Sequence, residues 1–500
     1  MVHLRESQMW PSTRTGVCPT DRRCRLSPAC RVVLSAALAV GCASSAAPEV
    51  GPNAAEDSDA GGCASAVPPD AGAGDAASTT NAPIVVDTVK SETGPVKGEC
   101  SLVMAVTALR RQADYGGCTN ASGATSIVLP AGTFDISSGL ELLASDAKTP
   151  PVSLVGQGVG RTILDTKGPV SPAVEIDGLT ITVSQLTVRA TKPAVPITGL
   201  RLDKSAIVTL DHVKVTGFTH TGVWNADATL TVQASTIDGN SSTGLGGGMY
   251  AAAQDATVSP TTFVNYSTIS RNRASLGGGI YNLGYLNLMY STIADNTATD
   301  GKGGGVYLGG DYIETAHCTI AFNSATASGL GGGIYIDPSI HANVHVQSSI
   351  IASNTGAAAS PDYFGLVRDS LTKVYDPDLF GSAAGITTGK GKVDVVGNPS
   401  LGALADNGGP TETCAVLAKE SLVVNAARDF SDRSKTDQRF LCAPYGGTPD
   451  IGAFEWRPVE TSMRRRVLLV LASLMGVAVL FVGLSPVGRS RVRAAFTRSG

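Results

Sequence analysis

A short motif recurs five times between residues 235 and 365, and this repeat constrains the fold more than any other feature of the chain. Each copy ends in an isoleucine that an asparagine follows three positions later. The asparagines are Asn240, Asn272, Asn296, Asn323 and Asn354. The isoleucines are 32, 24, 27 and 31 residues apart. A motif that keeps its internal spacing while its period varies indicates a solenoid whose coils carry loops of different length.

The residue types within the repeat select a β-solenoid. Runs such as residues 286–293 mix β-branched and aromatic residues with the apolar/polar alternation of a strand. The glycines and asparagines at fixed places supply the positive φ that tight corners need. We therefore predict an all-β fold, a right-handed parallel β-helix over residues 151–365. Its isoleucines would stack inside, and its asparagines would form a structural ladder from coil to coil.

Composition excludes one class of partner. Charged residues make up 16% of the chain, the formal net charge is −4, and no basic stripe follows the repeats, so no nucleic-acid partner is expected. The sequence has neither a CxxC pair nor a His/Cys cluster. We therefore predict no metal site and no cofactor.

The N-terminus is typical of an export signal. Four arginines precede an apolar run at residues 32–40, and the run ends at Cys42. This ending resembles a bacterial lipobox, so we predict a lipoprotein-type signal over residues 1–41 with lipidation of Cys42. An ordinary signal peptide cleaved near residues 43–47 is the alternative. Residues 42–98 are rich in Ala, Gly, Pro, Ser and Asp, which predicts a disordered tether.

Two caps are expected to close the solenoid. Residues 99–150 form the N-terminal cap, with a helix over residues 101–112 that Ser101 begins. Residues 366–460, where the repeat dissolves, form the C-terminal cap. In an oxidising compartment we expect each cap to carry one disulfide. The four candidate cysteines are Cys100 with Cys118, and Cys414 with Cys442. Cys318 takes a serine position in the repeat and is expected to be a buried free thiol.

Motifs in the two caps carry a family resemblance. Residues 398–411 are dense in turn formers, and Thr-Asp-Gln-Arg at 436–439 precedes Pro-Asp-Ile-Gly-Ala-Phe-Glu at 449–455. With residues 100–102 and 129–134, they resemble the choice-of-anchor Q family of bacterial surface proteins. The Gly-Gly-Gly-Ile-Tyr units resemble the repeats of polymorphic outer-membrane proteins. The resemblance implies a surface-displayed β-helix over roughly residues 100–455, and it assigns no catalytic residue.

The last segment, residues 461–500, reads as a membrane anchor. Residues 467–484 contain no charge and are flanked by arginines on both sides, and eighteen apolar residues just span a bilayer core. We predict one transmembrane helix, with the solenoid outside and the last residues in the cytoplasm. A tail of this shape also resembles bacterial C-terminal sorting signals, which are removed after arrival. No sorting motif precedes it, so a retained span is favoured.

An enzyme is the alternative that the fold leaves open, because parallel β-helices also host pectate lyases, polygalacturonases and phage hydrolases. Asn225-Ala-Asp227 and Asp211-His212 each match one fragment of such sites. A glycosidase needs two carboxylates that face one bond, and these fragments lack the rest of the set. We therefore predict an exported, membrane-anchored surface protein without catalytic residues, in a structural, adhesive or glycan-binding role. A polysaccharide lyase or glycoside hydrolase is the second hypothesis.

One feature of the repeats suggests a binding surface. A tyrosine follows each triple glycine by two positions, and strand alternation places it outside the coil if its aliphatic neighbour faces the core. The four are Tyr250, Tyr281, Tyr307 and Tyr335. They would either form a stripe that binds a polysaccharide or cell-surface partner, or merely stack on each other and cover the sheet.

Overall fold

The computed structural model describes twelve stretches of the chain. They are residues 82–90, 94, 96–144, 149–253, 258–310, 312–326, 328–340, 342–367, 377–388, 395–427, 436–445 and 447–458. The predicted signal, Cys42, most of the tether and the predicted span at residues 467–484 lie outside them. Within these stretches, no helix has the length and apolarity to cross a membrane.

Parallel strands dominate the described residues and stack coil on coil. Nineteen of them form one long sheet: Ile84–Val85, Ser126–Val128, Gly132–Asp135, Val152–Val155, Thr162–Thr166, Thr180–Ala190, Ile207–Thr216, Thr229–Gln233, Thr236–Asp238, Thr261–Asn265, Thr268–Ser270, Tyr285–Met289, Thr292–Ala294, Tyr312–Ala316, Thr319–Ala321, Asn343–Gln347, Ile350–Ala352, Leu379–Phe380 and Val395–Val396. Each strand pairs with its equivalent one coil on, as Ile269 does with Ile293. The chain is therefore a parallel β-helix, as predicted.

A second sheet of ten described strands closes each coil on another side. Its strands are Leu140–Leu143, Val174–Asp177, Thr198–Asp203, Thr221–Asn225, Met249–Ala251, Ile280–Asn282, Val306–Leu308, Ile334–Ile336, Tyr363–Val367 and Ile386–Thr388. Three short strands form a third sheet, and two form an antiparallel hairpin in the C-terminal cap. These are Arg273–Leu276, Thr297–Lys302 and Ser324–Ala325, then Leu401–Ala405 and Thr413–Val416. The aliphatic core lies between the sheets.

Residues in the left-handed region bend each coil at two fixed places. Tyr266 and Tyr290 (φ 50° and 47°) separate the two long-sheet strands of their coils. Arg271 and Asp295 (φ 55° and 58°) come just before ladder asparagines. Because a non-glycine residue adopts this conformation only when its surroundings demand it, stacking against neighbouring coils fixes the bends.

The asparagine ladder is present in the structure. The backbone N–H and the Nδ2 of Asn272 both donate to Oδ1 of Asn296 at 3.0 Å, and Nδ2 also donates to the carbonyl of Ile237 at 2.9 Å. The other ladder members repeat this pattern along five coils. Asp362 ends the series, since its Oδ1 accepts both bonds from Asn354. A chain of donors thus terminates on a group that only accepts.

A second ladder runs beside the first through the serines of the repeat. The backbone N–H of Ser235 donates to Oγ of Ser267 at 3.0 Å, and that of Ser349 donates to Oδ1 of Asp378 at 3.0 Å. Cys318 takes one place in this ladder as a buried thiol, in agreement with the sequence. Burial raises the pKa of this thiol to about 12, so it is poorly reactive.

The first and third glycines of each triple have different structural roles. The first glycine has positive φ, as at Gly277 (φ 61°). The third lies against the next coil, where a Cβ on Gly279 would come within 2.6 Å of the carbonyl oxygen of Gly305 and 3.0 Å of Asn296. Any side chain there would push the asparagine ladder apart, so glycine is required for stacking.

The N-terminal cap holds the helix Leu102–Arg111, whose Met104 N–H donates to the Ser101 hydroxyl. Its buried residues are Leu102, Met104, Ala105 and Ala108. Cys100 and Cys118 form a disulfide beside it. The expected start of order at residue 99 is wrong, because the strand Ile84–Val85 pairs with residues 127–128. Three consecutive β-branched residues at 84–86 form this strand within a stretch of otherwise low-complexity composition.

The C-terminal cap packs against the side of the solenoid rather than only its end. The repeat threonines, which face outward opposite the buried isoleucines, hold it on three successive coils. Thr268 Oγ1 donates to the carbonyl of Glu412, Thr292 Oγ1 donates to Oε1 of Gln438 at 2.7 Å, and Thr319 Oγ1 accepts from the N–H of Ala453 at 3.1 Å. The threonine of the repeat is thus a docking contact for the cap.

Candidate functional site

The outer face of the ten-stranded sheet carries one continuous row of side chains. The strand register places them in line: Glu141, Glu175, Arg201, Trp224, Tyr250, Tyr281, Tyr307, Tyr335 and Phe364. Their strand neighbours, such as Leu200, Val223 and Ile280, point into the core. The row therefore changes from charged to aromatic along the solenoid.

The aromatic end of this row is closed. Tyr281, Tyr307 and Tyr335 are 9%, 6% and 3% exposed, and their rings stack at centroid distances of 4.5 and 5.1 Å. Leucines from the loops before the triple glycines, Leu276 and Leu330 among them, pack on the outside of the rings. The hypothesis of an open tyrosine stripe is wrong for these three residues, and the stacking alternative is correct. The alternation of side chains along a strand predicted which side of the sheet the tyrosines are on, but it could not predict that loop leucines cover them.

The charged end of the row remains accessible. Tyr250 and Trp224 are half-buried, with centroids 5.7 Å apart, and the Arg201 guanidinium lies 5.2 Å from the Trp224 ring centre. We define the open face by Glu141, Glu175, Asp177, Arg201, Asp203, Lys204, Trp224 and Tyr250. It combines an aromatic platform with carboxylates and cations on three adjacent coils.

Ion pairs organise the open face. Arg201 Nη1 lies 3.4 Å from Glu175 Oε1, and its Nη2 bonds Asp203. Lys204 bonds Asp177, and this hydrogen bond raises the pKa of the lysine. Asp177 and Asp203 stand side by side on neighbouring strands. Acids from neighbouring coils do converge here, but each of these three carboxylates has a cation as its partner.

Several polar atoms of the open face lack a hydrogen-bond partner. They are Oδ1 of Asp177, Nε of Arg201 and Nε1 of Trp224. Asp177 is only 6% exposed, so its unpaired oxygen has lost water without gaining a donor. Such an atom costs about 1–3 kcal/mol relative to a satisfied one. The open face thus has three polar atoms with unused hydrogen-bonding capacity.

The enzyme-like fragments of the sequence do not join this site. Asn225 is buried and bonds Thr262 and the N–H of Ala228, which makes it a corner residue. Asp227 accepts from the N–H of Ser205 in the adjacent loop. Asp211 and His212 bond each other on the long sheet, away from the open face. Among the described residues, no group of three or more His, Cys, Asp or Glu could hold a metal ion.

The second predicted disulfide is wrong. Cys414 and Cys442 are not joined, although both lie in the C-terminal cap. Cys414 lies in the hairpin and packs against Ala294 and Leu404. Cys442 lies in a separate turn, where its backbone forms an antiparallel β-bridge with Thr436. Proximity in the sequence did not reveal that these two segments have different neighbours.

The family motifs of the C-terminal cap form a buried polar cluster instead of a site on the surface. Asp437 accepts from Arg439 Nε at 2.8 Å and from the N–H of Glu455 at 3.1 Å. Glu455 accepts from the N–H groups of Tyr445 and Asp450 at 2.6 and 3.0 Å. Burial, then the charge of Asp450, raises the pKa of Glu455 to about 8, and burial raises that of Asp450 to about 6. These residues hold the cap together.

Sequence reasoning missed the open face, although a signal was present. Residues 174–177 and 200–203 share one pattern: aliphatic, charged, aliphatic, aspartate. Val223 and Trp224 match its first two positions, with Trp224 at the charged one, and Asn225 then departs from the pattern. Comparing these early coils with each other would have aligned Glu175, Arg201 and Trp224 on one face.

One family model and two solved structures are similar to the chain. A family model described as "Right handed beta helix region" matches residues 198–398. The crystal structure of pectate lyase Pel9A is similar at 13% identity with a TM-score of 0.40, over 66% of this chain and 88% of that one. The A-module of the Azotobacter vinelandii mannuronan C-5 epimerase AlgE4 gives 14% identity and 0.34, over 62% and 95%. No curated protein matches the chain.

Proposed function

We propose that this chain is an exported β-helix protein, anchored in the membrane by residues 467–484 and by a lipid on Cys42. It binds a glycan of the cell envelope or cell surface through the open face, and it catalyses no reaction. The export pattern before Cys42 and the uncharged C-terminal run support the location. The resemblance of the cap motifs to choice-of-anchor Q surface proteins supports the same assignment.

The observation that carries the binding role is the aromatic platform beside a polar row. The apolar side of a sugar ring stacks on an aromatic face, as on Trp224, and sugar hydroxyls bond carboxylates and guanidinium groups such as Glu175 and Arg201. The surface is preformed, because strand pairing on both sides holds each of these residues. A rigid surface loses little entropy when it binds.

The absence of catalysis follows from the pairing of the carboxylates. A glycosidase places one carboxyl group as acid and another as base or nucleophile at the same bond. Here Glu175 and Asp203 bond Arg201, and Asp177 bonds Lys204. A cation thus lies on one oxygen of each of these three carboxylates, which supports a binding role over general acid–base chemistry.

The test is binding of the full-length protein, purified in mild detergent, to a panel of bacterial cell-surface polysaccharides. Trp224→Ala should abolish or strongly weaken retention, because it removes the platform. Tyr285→Ala is the matched control, since Tyr285 is a half-buried aromatic on the long sheet. The proposal would be refuted if no polysaccharide of the panel bound the protein, or if Trp224→Ala and Tyr285→Ala bound equally well.

A polysaccharide lyase or hydrolase is the second candidate, favoured by three carboxylates and two cations within adjacent coils. The same panel decides it. Incubation with protein should release no reducing ends and no unsaturated products. Product formation that Asp203→Asn abolishes while Asp238→Asn does not would establish the enzyme instead.

A further inference from the structure

We infer that the ligand of the open face is a glycan whose sugars carry free amino groups. This inference rests on the proposed glycan-binding function and adds the chemical class of the ligand. It depends on three observations: the charge balance of the face, the bonding of Asp177, and the position of Trp224.

The charge balance of the face is negative. Four carboxylates belong to the open face, and a fifth, Asp227, bonds the loop residue next to Lys204. Two cations, Arg201 and Lys204, oppose these five carboxylates. A surface with this surplus attracts positively charged ligands and repels polymers of uronic acids.

Asp177 provides a position for an ammonium group. Its side chain is only 8% exposed, its Oδ1 has no partner, and its Oδ2 accepts from Lys204. The side chain of Lys204, in contrast, is 70% exposed and reaches the Asp177 carboxylate from the solvent side. A carboxylate this far buried favours a second donor. The ammonium of an amino sugar can replace that of Lys204 on Oδ2, because the lysine side chain is exposed and can move into solvent.

The position of Trp224 determines how long the ligand must be. Arg201 pairs with Trp224 on one side and with Glu175 on the other, so the strand that holds Glu175 and Asp177 lies two coils from the platform. Coils are about 4.8 Å apart, which makes this distance about 10 Å. A sugar on Trp224 therefore needs at least one more linked sugar to place an amine at Asp177. The fitting ligand is an oligomer, and a single amino sugar is too short.

The experiment is a calorimetric titration of the full-length protein with three oligosaccharides of equal length. They are a glucosamine oligomer, its fully N-acetylated form and an oligogalacturonate. The glucosamine oligomer should bind at least about tenfold more tightly than the acetylated form, because acetylation removes the charge-assisted bond. Oligogalacturonate should not bind.

Variants separate the contact from general charge. Asp177→Asn should weaken binding of the glucosamine oligomer at least about tenfold. Asp238→Asn is the matched control, since Asp238 pairs with Lys214 at 3.2 Å on the long sheet and also has an unpartnered oxygen. It should leave binding unchanged. Lys204→Gln removes the ammonium that competes for Asp177 and should tighten binding, which tests the role of Asp177 even if Asp177→Asn lowers the melting temperature.

Other outcomes overturn the inference. Equal or tighter binding of the acetylated oligomer, or binding of oligogalacturonate, rejects the amine requirement while leaving a glycan-binding protein in place. Weaker or unchanged binding by Lys204→Gln rejects the role of Asp177. If no oligosaccharide and no polysaccharide of the panel binds, the proposed function falls together with the inference.

Discussion

At the residue scale, buried amides link the coils to each other, in addition to the packing of the aliphatic core. Asn296 is fully buried, and its Oδ1 accepts two bonds while its Nδ2 donates two. Each of these bonds joins one coil to a neighbouring coil. An amide suits this position because it carries both donors and an acceptor, which neither aspartate nor leucine provides.

Asn296→Ala should lower the stability of the solenoid by about 2–3 kcal/mol, because it leaves the N–H of Asn272 and carbonyl groups buried without partners. Thermal unfolding measures this loss. Asn343→Ala is the control, because Asn343 is exposed on an outer strand. Identical melting curves for the two variants would show that the ladder does not stabilise the fold.

The sequence predicted the inward residues of the repeat well and the outward ones poorly. Ile269, Asn296 and Cys318 lie where spacing alone placed them, because stacking forces equivalent residues into equivalent positions. Tyr307 was placed on the correct side of its strand but with the wrong exposure. The residues that cover an outward side chain belong to loops whose length varies from coil to coil. The repeated motif does not include these loops, so it cannot predict the exposure of the side chain.

At the element scale, the C-terminal cap depends on both the solenoid and its own buried charges. Gln438 is fully buried and bonds the hydroxyls of Thr268 and Thr292, which are in neighbouring coils. Near it, Arg439 bonds the carboxylate of Asp437 and the backbone carbonyl of Glu455, and Asp450 and Glu455 add two more buried acids. Such a cluster holds a proton at neutral pH that the unfolded chain would release.

The cap should therefore loosen as pH rises. Glu455 has a pKa of about 8 in the folded protein against an ordinary 4.5, so the folded state binds more protons than the unfolded state between these values. Stability is greatest on the acid side of this window and declines towards pH 8, by at most about 1.4 kcal/mol per pH unit for each proton. Asp450 acts in the same direction.

Hydrogen exchange of residues 447–458, corrected for the intrinsic rate, measures this effect. Residues 291–296 in the solenoid core serve as the internal reference. Glu455→Gln should lose one acceptor and be less stable at pH 5, yet show a flatter pH profile. A cap that becomes better protected between pH 5 and pH 8 would contradict the assignment.

Two segments of the cap were singled out in the sequence, but their structural role could not be predicted from it. Residues 436–439 and 449–455 are far from Thr268 and Thr292 along the chain, so no local pattern could show that they meet. The same distance explains the wrong pairing of Cys414 with Cys442. Contacts between a cap and a solenoid are set by the fold as a whole.

At the scale of the whole molecule, the solenoid has a covered part and an open part. The later coils are covered by the leucine loops over the tyrosines and by the C-terminal cap over the threonines. The earlier coils leave the open face of the ten-stranded sheet accessible. We place recognition there, and we assign structural support to the later coils.

Membrane attachment is a separate expectation at this scale. Deleting residues 467–500 in a Cys42→Ser background should release the protein from membranes, because it removes both proposed anchors. Each change alone should leave part of the protein attached. Fractionation of the double variant with membranes after a high-salt wash would show that another segment binds them.

The central claim is that Trp224 contacts a glycan, and tryptophan fluorescence tests it most directly. The chain has three tryptophans, and Trp456 lies in the C-terminal cap. Titration of the full-length protein with the best-bound polysaccharide of the panel should change its emission. The change should persist in Trp456→Phe and disappear in Trp224→Phe. If the emission change is lost only in Trp456→Phe, or if it persists in Trp224→Phe, the assignment of the open face as the binding site is contradicted.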